Sequence, residues 1–240
     1  MDIEATPDET KKITGANLKS QVLVGHKDLT TGVHGVGAQT INDPYDILMS
    51  RPWAFIWWAG NNEIIVGTGT IRQMGSYVEL NTGNTINSKA RCWGIPYRQA
   101  LTDHRIMYDV VIYVLFTTAT KFAMGYLRAT EDPYAIEDSF GIEVVDNALY
   151  AFSCDNTTRS TLDLATTLVV ALYSIRQQLI DVNGTRTLKT WVNGVAKADK
   201  TTNMPRAAQA MRAVSVELEN TAAADKRYIV YVPKFVYLTT

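Results

Sequence analysis

Cysteine, histidine and proline are scarce in this chain, at two, three and seven among 240 residues. Cys92 and Cys154 lie far apart without a Cys-x-x-Cys spacing, which excludes an ordinary zinc site. Two buried thiols are expected, with a disulfide left open. His26, His34 and His104 are too few and too scattered for a histidine-rich metal centre. No Gly-x-Ser-x-Gly elbow accompanies them, and Gly67-Thr68-Gly69 is not followed by the Gly-Lys-Ser/Thr of a phosphate loop. Charge of one sign is also missing: the formal net charge is -1 and the charged residues are scattered. That balance speaks against a nucleic-acid partner, which calls for a basic stripe, and against a polybasic membrane anchor. The longest apolar runs, around Val110 to Phe116 and Leu168 to Tyr173, are too short to span a bilayer. The opening MDIEATPDETKK has no apolar core after a basic start, so no secretory signal is expected.

What the sequence does contain is alternation. In Leu188 to Pro205 (LKTWVNGVAKADKTTNMP), Leu188, Thr190 and Val192 alternate with Lys189 and Trp191, the period of a half-buried strand. Asn193-Gly194 suits a two-residue hairpin turn, because both positions need positive φ. A second run, Val195 to Thr202, is expected as the return strand, ending before Pro205. Upstream, strands are expected at Ala54 to Ala59, Glu63 to Thr70, Tyr77 to Leu80 and Ala90 to Trp93. His104 to Thr117, apolar on both faces apart from Asp109, reads as a central strand covered on both sides. Phe122 to Arg128, Phe140 to Val145, Leu149 to Cys154, Val169 to Gln178, Ala213 to Glu219 and Arg227 to Tyr237 complete the set. Val169, Ala171, Tyr173 and Ile175 are placed on one face. The period leaves Leu162 to Leu172 open between helix and strand, and Arg206 to Arg212 is expected to form at most one helical turn. Many short strands with turn residues between them indicate an all-β sandwich or barrel.

Residues 1 to about 50 differ. Gly25 to Gln39 (GHKDLTTGVHGVGAQ) is rich in Gly, Thr and His and cannot bury enough surface to order itself alone. We therefore expect an extended N-terminal arm over 1–50 and a sandwich domain over 51–240. Trp53, Phe55, Trp57 and Trp58 form the densest aromatic cluster, directly after the arm. Core packing plus a subunit contact is expected there, with His26 and His34 in a surface or interface role.

Several phrases in order resemble the concanavalin A-like (laminin G or lectin-type) sandwiches of phage and viral structural proteins. They are Phe122 to Leu127 (FAMGYL), Phe140 to Glu143 (FGIE), Ala148 to Ala151 (ALYA), Tyr173 to Arg176 (YSIR) and the Trp191 to Pro205 hairpin. Leu29 to Val36 (LTTGVHGV) is similar to a phrase that joins virion-attached parts of head-fibre and tail-fibre proteins to a distal domain. Departures are Glu143, where the family usually has an aromatic, and an extra Asn-Gly turn within Ile180 to Arg186. The resemblance implies an antiparallel jelly-roll fold and a non-enzymatic virion subunit, a capsid decoration or fibre. Such a subunit would have no cofactor and would assemble with itself and with other virion proteins such as the major capsid protein.

A lectin-like module stacking host-surface glycans on Trp58 and Trp93 is the alternative. A polysaccharide-degrading enzyme on the same fold ranks behind both. Glucanases of the laminarinase type carry Glu-x-Asp-x-x-Glu on one strand, whereas Glu143-Val144-Val145-Asp146 does not keep both carboxylates on one face. Glu131-Asp132 and Glu137-Asp138, flanking Pro133, read as a solvated acidic loop. No calcium site is assigned to them, since Asp-x-Asp spacing with a tight glycine is missing. Trp191 is expected to pack rather than bind.

Overall fold

The computed structural model describes residues 62–74, 77–94, 100–101, 105–182, 185–211, 213–231 and 234–238. In chain order the strands are β1 (Glu63–Val66), β2 (Thr70–Met74), β3 (Tyr77–Asn81), β4 (Lys89–Gly94), β5 (Ala100–Leu101) and β6 (Arg105–Val114). Then come β7 (Thr120–Leu127), β8 (Ser139–Val145), β9 (Ala148–Cys154), β10 (Arg159–Thr167), β11 (Ala171–Val182) and β12 (Thr185–Val192). The last are β13 (Val195–Ala196), β14 (Ala210–Met211), β15 (Ala213–Asn220), β16 (Arg227–Tyr231) and β17 (Lys234–Leu238). No helix occurs among the described residues. Sheet I has seven strands in the order β1-β4-β15-β7-β8-β9-β10. Sheet II has eight, β13-β12-β11-β6-β16-β3-β2 with β17 also on β6, and β5 pairs with β14 apart from both. Every pairing is antiparallel.

The period-two pattern positions the core. Phe122, Met124 and Tyr126 of β7 and Phe140, Ile142 and Val144 of β8 point inward from sheet I. They meet Tyr108, Val110 and Ile112 of β6 and Ile175 and Leu179 of β11 from sheet II. Rings from the two sheets interleave, with Phe122 and Tyr228 centroids 5.0 Å apart and Tyr108 and Phe140 6.2 Å apart. Each such fully buried side chain contributes roughly 1.5–3 kcal/mol by leaving water. One polar residue bridges the layers. Gln177 Nε2 donates to the Gly141 carbonyl of sheet I at 3.0 Å and to Thr190 Oγ1 at 3.1 Å, while the Tyr108 hydroxyl donates to Gln177 Oε1. Burial pushes the Tyr108 hydroxyl far above the ordinary tyrosine range.

Several expectations are corrected. Glu63 to Thr70 is not one strand: Gly67, at φ 79°, turns the chain from the edge of sheet I to the edge of sheet II. The strand from Arg105 is central but its second face is covered only in part: Met107 is buried there, Asp109 is half-buried and Val111 is 36% exposed. Val169 precedes its strand and is exposed. The ambiguous Leu162 to Leu172 stretch carries strand β10, whose register shifts between Asp163 and Thr167 at Ala165, φ 47°. Ala207-Ala208 is a turn with no helix around it, and the closing run divides into β16 and β17, both paired to β6.

The expected hairpin exists, but its return arm is two residues long. Val195 and Ala196 pair with Val192 and Trp191 around Asn193 (φ 50°) and Gly194 (φ 78°). The longer hairpin is the one upstream, β11 with β12, whose registers run from Ile175↔Val192 to Val182↔Thr185. Beyond Ala196 the chain becomes a strap between the sheets. Lys200 bridges to Leu188 of sheet II, and its ammonium donates to Ser160 Oγ at 2.7 Å and Thr202 O at 3.0 Å. Ser153 of sheet I donates to the same Thr202 carbonyl at 2.9 Å.

Candidate functional site

Two outward faces bear polar clusters, one on each sheet. On sheet I, the strand period turns Lys89, Arg91, Glu217, Glu219, Lys121 and Glu143 away from the core. Glu217 is opposite Ala123, and Ala123 opposite Glu143, so the two carboxylates stand two strands apart, about 9.5 Å at the backbone. The 128–138 loop lies across them. Asp132 pairs with Arg91 at 3.2 Å, the Ser215 hydroxyl donates to the Glu131 carbonyl, and the Tyr134 ring sits 4.1 Å from Lys121 Nζ.

Below the loop the charges are paired. Glu217, fully buried, takes Arg91 and Lys89, the latter at 3.3 Å. Glu143 takes Arg159 at 2.7 Å. Burial works to lower the Lys89 pKa, but Glu217 and Glu219 outweigh it and the net shift is upward. Burial, then Glu143 and Glu217, hold the Tyr134 hydroxyl well above its ordinary value. The guanidinium of Arg159 stacks 4.1 Å from the Phe152 centroid and 5.3 Å from that of Tyr134. Phe152 in turn covers Gly125 and Gly141, whose added Cβ atoms would come within 2.6 Å and 2.8 Å of its ring.

The acidic loop is solvated as expected only at Glu131 and, in part, Asp132. Glu137 and Asp138 are buried. Glu137 accepts from the amides of Ala129 (2.7 Å) and Thr130 (3.0 Å), and Asp138 is clamped by Arg206 Nη2 at 2.7 Å. No group of three or more potential metal ligands occurs among the described residues.

Sheet II is different. A groove of about 490 Å3 opens on its outward face, lined by Asp109, Val110, Val111, Ser174, Arg176, Trp191 and Gly194. Its floor is one row of paired strands, with Asp109 opposite Arg176 and Arg176 opposite Trp191. Arg176 Nε donates to Asp109 Oδ1 at 2.7 Å and Nη2 to Oδ2 at 3.0 Å, a bidentate fork. The Asn193-Gly194 tip closes onto β11: the Ser174 amide donates to Asn193 Oδ1 at 2.9 Å and the Asn193 amide returns to the Ser174 carbonyl at 2.7 Å. The half-buried indole of Trp191 forms part of the groove wall.

Of the residues singled out in the sequence, His26, His34, Trp53, Phe55, Trp57 and Trp58 lie outside the described residues, as does His104. Trp93 is half-buried on the outward face of sheet I, beside Arg91 and opposite Ser215, and is not in the groove. Trp191, expected to pack, is half-buried on the outward face of sheet II. Asp109 stood out as the one polar residue in an apolar run, and Arg176 as part of YSIR, but their pairing could be read only from strand register. Cys92 and Cys154 are both buried and free, and burial raises the Cys92 thiol well above its usual pKa.

No family model and no curated protein matches the sequence. Solved structures do match the fold. An endo-β-1,4-glucuronan lyase from the fungus Trichoderma reesei aligns with TM-score 0.51 at 12% identity, over 72% of this chain and 89% of that one. The Emp47p carbohydrate recognition domain aligns at 0.50 and 11%, over 75% and 89%. A Bacillus licheniformis β-glucanase aligns at 0.50 and 11%, over 76% and 96%. The fold is thus an all-β, antiparallel sandwich of the concanavalin A-like, jelly-roll kind, shared by enzymes and binding domains alike.

Proposed function

We propose that the chain is a non-enzymatic, surface-displayed subunit of a prokaryotic virus particle, a decoration or a fibre, whose open sheet II face recognises glycans. The groove carries the recognition half of this reading. It sets an aromatic wall beside a fixed carboxylate–guanidinium pair, the combination of apolar plane and hydrogen-bonding edge that a sugar ring needs. Alignment with a carbohydrate recognition domain and two carbohydrate-active enzymes supports the same direction. The virion half rests on LTTGVHGV and the ordered strand phrases. In this reading the N-terminal arm and Trp53 to Trp58 assemble the subunit with its own copies and with other virion proteins such as the major capsid protein, and symmetric display multiplies weak contacts into avidity. Against catalysis stands the commitment of Glu143 and Glu217 to cations beneath the 128–138 loop.

The protein is expected to co-purify with virus particles, to be retained by some surface glycan, and to release no reducing sugar from β-glucans or bacterial exopolysaccharides. Fractionation only as a free monomer would end the virion half. Steady release of reducing ends by purified protein would end the non-enzymatic one.

A further inference from the structure

We infer that the outward face of sheet II selects acidic glycans, chains bearing uronate, sialate or sulfate, an inference that rests on the glycan-recognition reading above. The formal net charge of the chain is -1, but strand register does not divide the charge evenly between the two faces. On sheet I the outward strand positions are balanced, with Lys89, Arg91, Lys121 and Arg159 against Glu143, Asp163, Glu217 and Glu219. On sheet II the alternation that turns Ile106, Tyr108 and Ile175 inward places Arg72, Arg105, Arg176, Lys189, Arg227 and Lys234 at outward positions. Only Glu79 and Asp109 oppose them from the strands of that face, and Asp199, 3.8 Å from Lys189, from the strap beside it.

Each of the two strand carboxylates stands between two cations. Asp109 holds Arg176 in the bidentate fork and is in register with Lys234 on its other side. Glu79 takes Arg227 at 3.3 Å and is in register with Arg72. Each trio thus has a formal positive charge in excess, and an anion that joins it completes the pairing. At the groove, Arg176 and Lys234 flank Asp109 about 9.5 Å apart at the backbone, and Trp191 continues the same row beyond Arg176. An acidic glycan laid across these strands turns its anionic groups to the basic positions and donates a hydroxyl to Asp109, a short, strong bond to an ionised acceptor. The C–H face of one of its rings lies on the indole of Trp191. A neutral chain makes the last two contacts and leaves the excess charge unanswered. A nucleic-acid duplex presents an unbroken line of phosphates, which Asp109 and Glu79 interrupt.

The test uses the intact protein on an array that sets uronate-containing, sialylated and sulfated chains against neutral glucans, mannans and galactans, with duplex DNA alongside, followed by titration of the hits. Acidic chains are expected to bind in preference to neutral ones and to lose at least about tenfold in affinity between about 50 mM and about 500 mM salt, where charge-driven binding is strongly screened. Lys234→Gln is expected to weaken acidic chains at least about fivefold and to flatten the salt dependence, and Lys234→Arg to keep both. A change in that slope is something partial unfolding cannot imitate. Arg72→Gln, at an exposed edge-strand position, is expected to lower affinity about twofold to threefold with thermal unfolding unchanged. Preference for neutral chains, affinity indifferent to salt, or acidic-chain binding indifferent to both Lys234→Gln and Arg72→Gln overturns the inference while leaving glycan recognition standing. Tighter retention of duplex DNA than of any acidic glycan also overturns it. Retention of no glycan of either class overturns both readings.

Discussion

The two outward faces of this sandwich are made from the same alphabet of arginine, carboxylate and aromatic, yet they have opposite fates. On sheet I a loop closes over the charges, and the pairs beneath it become part of the interior. On sheet II the Asp109–Arg176 pair stays at the surface, with the arginine side chain 42% exposed. The difference lies in what covers each face. Sheet I is crossed by a loop braced by its own Glu137; at the sheet II groove a two-residue hairpin tip closes one end, and among the described residues no loop crosses the rest. Buried pairs are costly to break and poor at binding, whereas exposed pairs contribute little to stability and remain available to a ligand.

That contrast can be broken in order of expected effect. Glu217→Ala takes the buried partner from Arg91 and Lys89, leaving them Asp132 and Glu219, and is expected to cost about 2 kcal/mol or more in denaturant unfolding, whereas Asp109→Ala should cost below about 1 kcal/mol. Equal effects would mean that the two faces are not energetically distinct. A glycine pair gives the next comparison. Gly141→Ala would place a Cβ 2.0 Å from the Met124 carbonyl oxygen and is expected to cost about 3 kcal/mol. Gly194→Ala has open space and bears only its positive φ, about 1 kcal/mol.

Alkaline pH should act on the sealed side. Tyr134 and Lys89 both have pKa values raised on folding, and Tyr228 in the core is pushed up to about 12, chiefly by burial. A raised folded pKa gives stability that is complete below the unfolded value and is lost as pH climbs through the folded one. Thermal stability should therefore fall from about pH 10 upward, and Tyr134→Phe should flatten part of that slope. The smallest effect is that same variant at neutral pH. The Tyr134 hydroxyl has no hydrogen-bond partner among the described residues, so Phe is expected to be neutral or to stabilise by up to about 1 kcal/mol. A loss above that would mean the hydroxyl is satisfied by ordered water.

Strand period carried most of the fold into view. Phe122, Phe140 and Leu149 begin runs that the structure keeps nearly residue for residue, because a half-buried strand writes its two faces directly into the chain. The same alternation already set Trp191 on the face opposite Val192, and outward is where it lies. Strand β10 was harder, since Ala165 breaks its register and its exposed face is polar. The burial of Glu137 could not be read from composition: an acidic loop has the same residues whether it meets water or its own amides. The groove depends on register between strands whose key residues, Asp109 and Arg176, are 67 positions apart.

The order of strands has a consequence for how the molecule is made. In sheet I, β15 lies between β4 and β7, and in sheet II, β16 lies between β3 and β6. Both sheets thus remain split, each half with a raw central edge, until residues beyond 213 have left the ribosome. Neither early half has a place to close, so the sandwich should form late and in one step, with slow closure typical of strands paired over long sequence separations. A chain interrupted before β15 would expose four sticky interior edges at once, those of β4, β7, β3 and β6, marking it for capture by chaperones or for degradation before it could enter any assembly.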